Sequence, residues 1–212
     1  MSKAQAAKFI SLEGIEGVGK STNMDYLASL LTKYKKDFIR TREPGGTQIA
    51  EAIRHILLHT KDEILFPKTE ILLLYAGRYQ HVNHVIKPAL ENNQWVLCDR
   101  FLDATLAYQG GGRQQPLESI LQLNDWVLGD FKPNYTIILD APVEVALKRI
   151  QRRKNLDRFE KEEVSFFARI RNQYLALAER EPDRFRIVDA SQNLHAVHEQ
   201  LEVIVREIMQ TE

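Results

Sequence analysis

The chain has 212 residues, 44% of them hydrophobic and 27% charged, with 29 Lys and Arg balanced by 29 Asp and Glu. That length suits a single α/β domain whose core needs no staple, and a net charge of zero argues against a dedicated nucleic-acid binder, which carries a basic excess. The lone cysteine, Cys98, excludes an intrachain disulfide, and the longest apolar run, Ile71 to Ala76, is far too short to span a membrane.

Lys8 to Glu13 is a short apolar run that reads as a strand, and no apolar leader precedes it, which predicts a cytoplasmic protein. Gly14-Ile15-Glu16-Gly17-Val18-Gly19-Lys20-Ser21-Thr22 follows, the pattern G-x-x-x-x-G-K-[ST]. It sits where its physics requires, between a strand and a helix expected over Lys20 to Lys35. Glycines let consecutive backbone N–H groups turn toward phosphate oxygens, and the positive end of the helix dipole points at the same place. Lys20 supplies a point charge, and the Ser21 hydroxyl suits Mg²⁺.

Phe38 to Arg42 reads as strand two and breaks at Glu43-Pro44-Gly45-Gly46. Thr47 suits an N-cap for a helix with Ile49, Ala50, Ile53, Ile56 and Leu57 on one face. Asp62 to Pro67 connects to a helix over Thr69 to Tyr79, and another follows over Val82 to Asn92. Strand three, Trp95 to Cys98, ends at Asp99-Arg100. A helix from Leu102 to Tyr108 is expected to stop at Gly110-Gly111-Gly112, a strong breaker. Leu117 to Leu128 is helical, Tyr135 to Leu139 is strand four, and Val143 to Arg153 is a helix. A polar basic interruption covers Arg152 to Asp157, helix returns over Glu160 to Glu181, strand five is Phe185 to Val188, and Leu194 to Met209 is the last helix. Strands alternating with helices predict an α/β fold with a five-stranded parallel sheet covered on both faces. Ligands bind such sheets at the carboxyl ends of the strands. The polar signals after strands one, two and three therefore belong to one rim and one composite site.

Asp99 ends an apolar strand beside the phosphate loop, where a carboxylate can serve a metal ion; otherwise it simply terminates a strand. Arg100 faces the same rim, or makes a surface ion pair. Glu16 lies inside the loop, either supporting Mg²⁺ indirectly or pointing to solvent. The run Arg149, Arg152, Arg153, Lys154 and Arg158 is the densest basic patch and is either a solvated helix end or a lid that brings arginine to a phosphate. Arg54, Arg78 and Gln109 are not placed by spacing alone. The histidine pairs His55/His59, His81/His84 and His195/His198 lack metal-binding companions and are expected to be solvated. No N-K-x-D stretch is present to read guanine.

The chain resembles bacterial-type thymidylate kinases along essentially its whole length. The matching stretches are Glu13 to Thr22, Thr41-Arg42-Glu43-Pro44-Gly45-Gly46-Thr47, Ala76-Gly77-Arg78, Asp99-Arg100-Phe101 and Ala107-Tyr108-Gln109-Gly110-Gly111-Gly112-Arg113. The resemblance implies a three-layer P-loop NTPase fold, transfer of the ATP γ-phosphate to dTMP with Mg²⁺, a lid at about 150–160 and a homodimer. By resemblance, Gly14 to Thr22 bind ATP, with Ser21 and Asp99 at the metal. Arg42, Glu43, Arg54 and Arg100 surround the acceptor phosphate and sugar. Arg78 and Gln109 approach the thymine, and Leu74, Thr105 and Tyr108 complete the acceptor site. Lys20, Glu16, Arg100 and the lid arginines Arg153 and Arg158 serve the transfer. Gly17 stands where some relatives carry a loop arginine. Leu74 replaces a common phenylalanine, and Ala104 a common serine.

Overall fold

The computed structural model describes residues 6–60, 63–150, 158–159 and 162–210. Five strands form one parallel sheet: β1 (Phe9–Glu13), β2 (Phe38–Arg42), β3 (Trp95–Asp99), β4 (Tyr135–Asp140) and β5 (Phe185–Asp189), in the order β2-β3-β1-β4-β5. Every residue of β1, and all but the last of β3 and β4, is buried. Side chains on a strand alternate between faces, so burial of consecutive residues means that both faces are covered. Arg42 and Leu12 both lie in register with Asp99. The carboxyl ends of β2, β3 and β1 therefore share one rim, as expected.

The helices are α1 (Lys20–Lys33), α2 (Gln48–His59), α3 (Pro67–His81), α4 (Lys87–Glu91), α5 (Leu102–Thr105), α6 (Leu117–Leu128), α7 (Val143–Ile150), α8 (Val164–Arg180) and α9 (Leu194–Gln210). The Thr47 side chain accepts a hydrogen bond from the Ala50 N–H, so its reading as an N-cap holds. The apolar face expected of α2 is divided: Ala50 and Leu57 are buried, whereas Ile49 and Ile56 are exposed. The basic segment around Arg152, Arg153, Lys154 and Asp157 lies outside the described residues.

The largest departure from expectation is at the glycine triplet. The chain does not break there but runs on from α5 as a π-helical segment, Leu106–Gly112. The glycines serve close packing instead of a turn. A Cβ at Gly111 would lie 2.7 Å from the Gln173 Cβ, and one at Gly112 would lie 2.6 Å from the Phe166 ring, both on α8. Glycine's breaking tendency is a local preference of about 1 kcal/mol per residue, which tertiary packing overrides. Gly77 provides the contrast, because a Cβ there meets only ordinary contacts at 3.6 Å inside α3. Gly112→Ala should lower unfolding free energy by about 1–3 kcal/mol. Gly77→Ala should leave it unchanged or raise it by up to about 1 kcal/mol. Thermal and urea unfolding of the two variants checks this contrast.

Candidate active site

The phosphate loop links β1 to α1. Gly19 takes a left-handed conformation, φ 92°, at the helix start, and Ser21 and Thr22 lie open to solvent on the first turn. The Lys20 ammonium folds back to donate to the carbonyls of Gly14 (3.0 Å) and Ile15 (2.9 Å). Burial of the ammonium group, and then the neighbouring Arg100 charge, lower its pKa to about 8. Gly17 has φ 81°, and a Cβ there would fall 2.2 Å from the Ala146 carbonyl oxygen of α7. The helix after β4 closes directly over the loop, so no side chain, arginine included, fits at this position.

Arg100 is the hinge of the rim. It has φ 70°, a left-handed conformation that costs energy in a residue with a Cβ. The buried carboxyl group of Glu13 accepts from the next backbone N–H, that of Phe101, at 2.7 Å, and from the Tyr174 hydroxyl at 2.7 Å. Turned in this way, the Arg100 guanidinium donates to Glu16 at 2.8 Å and lies 4.6 Å from the Tyr108 ring centre. The Tyr108 hydroxyl donates to the other Glu16 oxygen at 2.5 Å. Glu16 thus does not point to solvent. It ties the phosphate loop to the elements carrying Arg100 and Tyr108.

Beyond Arg100 a cleft is lined by Glu16, Glu43, Arg54, Leu74, Arg78, Arg100, Phe101, Ala104, Thr105, Tyr108 and Gln109, among others. Arg78 is buried and donates to Glu43 (2.7 Å), the Phe101 carbonyl (3.1 Å) and the Thr105 hydroxyl (2.9 Å). Its Nη1 is buried with no partner among the described residues. An unpaired buried guanidinium nitrogen is costly, and it leaves a donor available to an acceptor. Arg54 donates to the Pro44 carbonyl at 2.9 Å, and Arg42 pairs with Glu51 at 2.9 Å on the exposed rim.

The structure therefore brings together the phosphate loop, Arg54, Leu74, Arg78, Arg100, Thr105, Tyr108 and Gln109, with Arg42 at the end of β2 beside Asp99. Glu43 borders the cleft, but one carboxylate oxygen accepts from Arg78 and the other lies 3.1 Å from His81 Nδ1. His81, expected to be solvated, is fully buried between Glu43 and Thr41, because α3 packs that face against the end of β2. Arg158, expected at the transferring phosphoryl group, is engaged elsewhere: it ion-pairs with Glu70 and donates to the Leu57 carbonyl at 3.0 Å. Arg153 lies outside the described residues. Sequence reasoning overlooked Glu13, Glu70 and Tyr174. Each sits at a helical or strand position that reads as ordinary, and only the charge at an otherwise apolar position of β1, and the Glu70-Leu74-Arg78 spacing of four, offered a signal.

Asp99 closes β3, and its buried Oδ1 has no partner among the described residues. Among the described residues no group of three His, Cys, Asp or Glu is placed to hold a metal unaided. A lone orphaned carboxylate beside a phosphate loop fits Mg²⁺, which takes one or two carboxylates and completes its shell with water and substrate phosphates.

A parallel sheet with a phosphate loop after its first strand, facing an arginine-lined cleft on the same rim, defines a P-loop kinase. The family model described as thymidylate kinase matches residues 12–201. A thymidylate kinase from Alcanivorax borkumensis is 50% identical over 203 residues, 96% of this chain and 98% of that one. One from Pseudomonas putida is 49% identical over 202 residues, 95% of this chain and 98% of that one. The crystal structure of thymidylate kinase from Ehrlichia chaffeensis superposes with a TM-score of 0.75 at 30% identity, covering 97% of this chain and all of that one. This chain belongs to the thymidylate kinase family.

Burial, and then the nearby Asp103 charge, raise the Glu13 carboxyl to a pKa of about 8. An acid whose pKa is raised on folding holds its proton in the native state after the unfolded chain has lost it. Its effect on stability is therefore nil below the unfolded value near 4.5, and stability falls as pH rises from there to about 8. The slope from this group is up to about 1.4 kcal/mol per pH unit. Glu13→Gln keeps an acceptor for Phe101 and should flatten the decline, measured as urea midpoints between pH 5 and 8.

Proposed function

We propose that this protein transfers the γ-phosphoryl group of ATP to dTMP, giving dTDP and ADP on the way to dTTP. The observation that carries the reading is the Glu16–Arg100–Tyr108 contact. It joins the phosphate loop, where a donor triphosphate would lie, to the arginine-lined cleft that Arg78 and Gln109 border. Donor and acceptor phosphates would then meet at Arg100.

The chemistry asks little of a base. A monophosphate is largely dianionic near neutrality, since its second pKa is about 6. One of its oxygens attacks the γ-phosphorus as the bond to the β–γ bridging oxygen breaks, and ADP leaves. The barrier lies in bringing anions together in line. Backbone N–H groups of Gly14 to Thr22 would cradle the donor phosphates, and Lys20 would leave its carbonyl partners for them. Arg100, Arg42 and Arg54 would hold the acceptor phosphate. Leu74, Phe101 and Ala104 would enclose the base, with Arg78, Thr105 and Gln109 at its polar edge. A Mg²⁺ ion, when bound, offsets charge on the β- and γ-phosphates; Ser21 and Asp99 are the residues that would hold it. Arg153 is assigned to the transferring phosphoryl group by resemblance, since Gly17 leaves the loop without an arginine of its own.

A kinase acting on a nucleoside hydroxyl would need a general base. Of the two carboxylates that could serve, Glu43 has its oxygens taken up by Arg78 and His81, and Asp99 is the one that would hold Mg²⁺, which favours the phosphate acceptor. In an ADP-release assay with ATP and Mg²⁺, dTMP should be the best acceptor in a panel with dUMP, dCMP and thymidine. Turnover on thymidine alone would overturn the reading. Lys20→Ala should lower kcat roughly 10³-fold or more with the fold intact by circular dichroism.

The reading includes a homodimer. Leu72, Tyr79 and Trp126 are exposed, Trp126 by 83%, and with Leu123 and Val127 they line an apolar groove between α3 and α6. Contiguous apolar surface of this kind calls for a partner, and a second copy presents the same groove across a two-fold axis. Light scattering should give the mass of two chains. Trp126→Asp should shift it toward one chain, and an unchanged mass would reject this face.

A further inference from the structure

Glu70 lies behind the cleft instead of lining it, and it is completely buried on α3. A carboxylate stays in such a place only when it is paired and hydrogen-bonded. It receives the Gln109 Nε2 at 2.7 Å and ion-pairs with Arg158, and the Arg113 Nε lies 3.7 Å away. Arg113 is itself held by Glu162 at 2.6 Å. Resting on the reading of the cleft as a nucleotide acceptor site, we propose that Glu70 is a positioning residue that sets base specificity by fixing which way round the Gln109 amide sits.

A carboxylate between guanidinium groups can only accept, so the Gln109 amide must turn its NH₂ toward Glu70. The amide oxygen is then the group Gln109 has left to offer the cleft that it lines. Arg78 lines the same cleft, and its buried Nη1 is a donor without a partner among the described residues. A donor beside an acceptor matches a pyrimidine with a C4 carbonyl and an N3–H. Cytosine presents the reverse, a 4-amino donor and an N3 acceptor, and would oppose like groups at both positions. A site built to hydrogen-bond one edge rejects the other strongly, because its own buried groups are left unpaired. Glu70, Leu74 and Arg78 stand four residues apart, so one face of α3 carries the anchor, an apolar wall and the donor.

Glu70→Gln would present its carbonyl to the arginines and its NH₂ to Gln109, reversing the Gln109 amide. The ratio of kcat/KM for dTMP to that for dCMP should fall about ten- to a hundredfold, with KM for ATP unchanged. Gln109→Leu removes the oriented group while leaving the Glu70 ion pairs in place, and it should lower the same ratio even where the Glu70 variant folds poorly. Equal losses on both nucleotides, or an unchanged ratio in either folded variant, would overturn the proposal. Wild-type enzyme inactive on dTMP would overturn the functional reading itself, and the inference with it.

Discussion

The site depends on a carboxyl group that has no access to water. Glu13 ends the central strand inside the sheet and takes hydrogen bonds from the Phe101 N–H and the Tyr174 hydroxyl. The first of these holds Arg100 in its left-handed turn, and the second draws α8 against β1. Remove that acceptor and Phe101 N–H is left buried and unpaired, so the strained turn at Arg100 loses its compensation. The guanidinium would then be held toward Glu16 only by that ion pair and the Tyr108 ring. One residue at the base of the phosphate loop thereby connects the donor side, the acceptor side and the helix behind them.

The chain is neutral, yet its rim is rich in arginine. Each of several arginines is held by a carboxylate: Arg100 by Glu16, Arg78 by Glu43 and Arg158 by Glu70. Burying such pairs gains little stability, because desolvation offsets most of the attraction. What it does gain is orientation. A guanidinium whose fork is already occupied on one side presents the other in a defined direction, and Arg78 Nη1 is the clearest case. Phosphates and a base edge would then be met with little reorganisation of these arginines, which suits a transfer limited by alignment and charge.

Close backbone approach is the second organising constraint. Gly17 admits the Ala146 carbonyl against the phosphate loop, and Gly111 and Gly112 admit α8 against the π-helical segment. That segment carries Tyr108 and Gln109, so its packing on α8 sets the height of both side chains in the cleft. Methylene-scale changes at these contacts would propagate to the rim because interiors are close-packed.

The local sequence was enough to determine the parallel α/β sheet, the phosphate loop and the rim on which the site lies. Those follow from periodicity and from glycines at set spacing, which are properties of a few neighbouring residues. The motifs of the chain also carried the family. Tertiary structure alone decided the rest. The glycine triplet continues a helical segment because α8 occupies the space a side chain would fill. His81 is buried because α3 delivers it to Glu43 and Thr41, and Arg158 turns to Glu70 instead of the phosphate loop. Each of these outcomes is set by a contact between residues far apart in the chain. Buried charge goes to its nearest opposite charge in space, and position along the sequence does not report that distance.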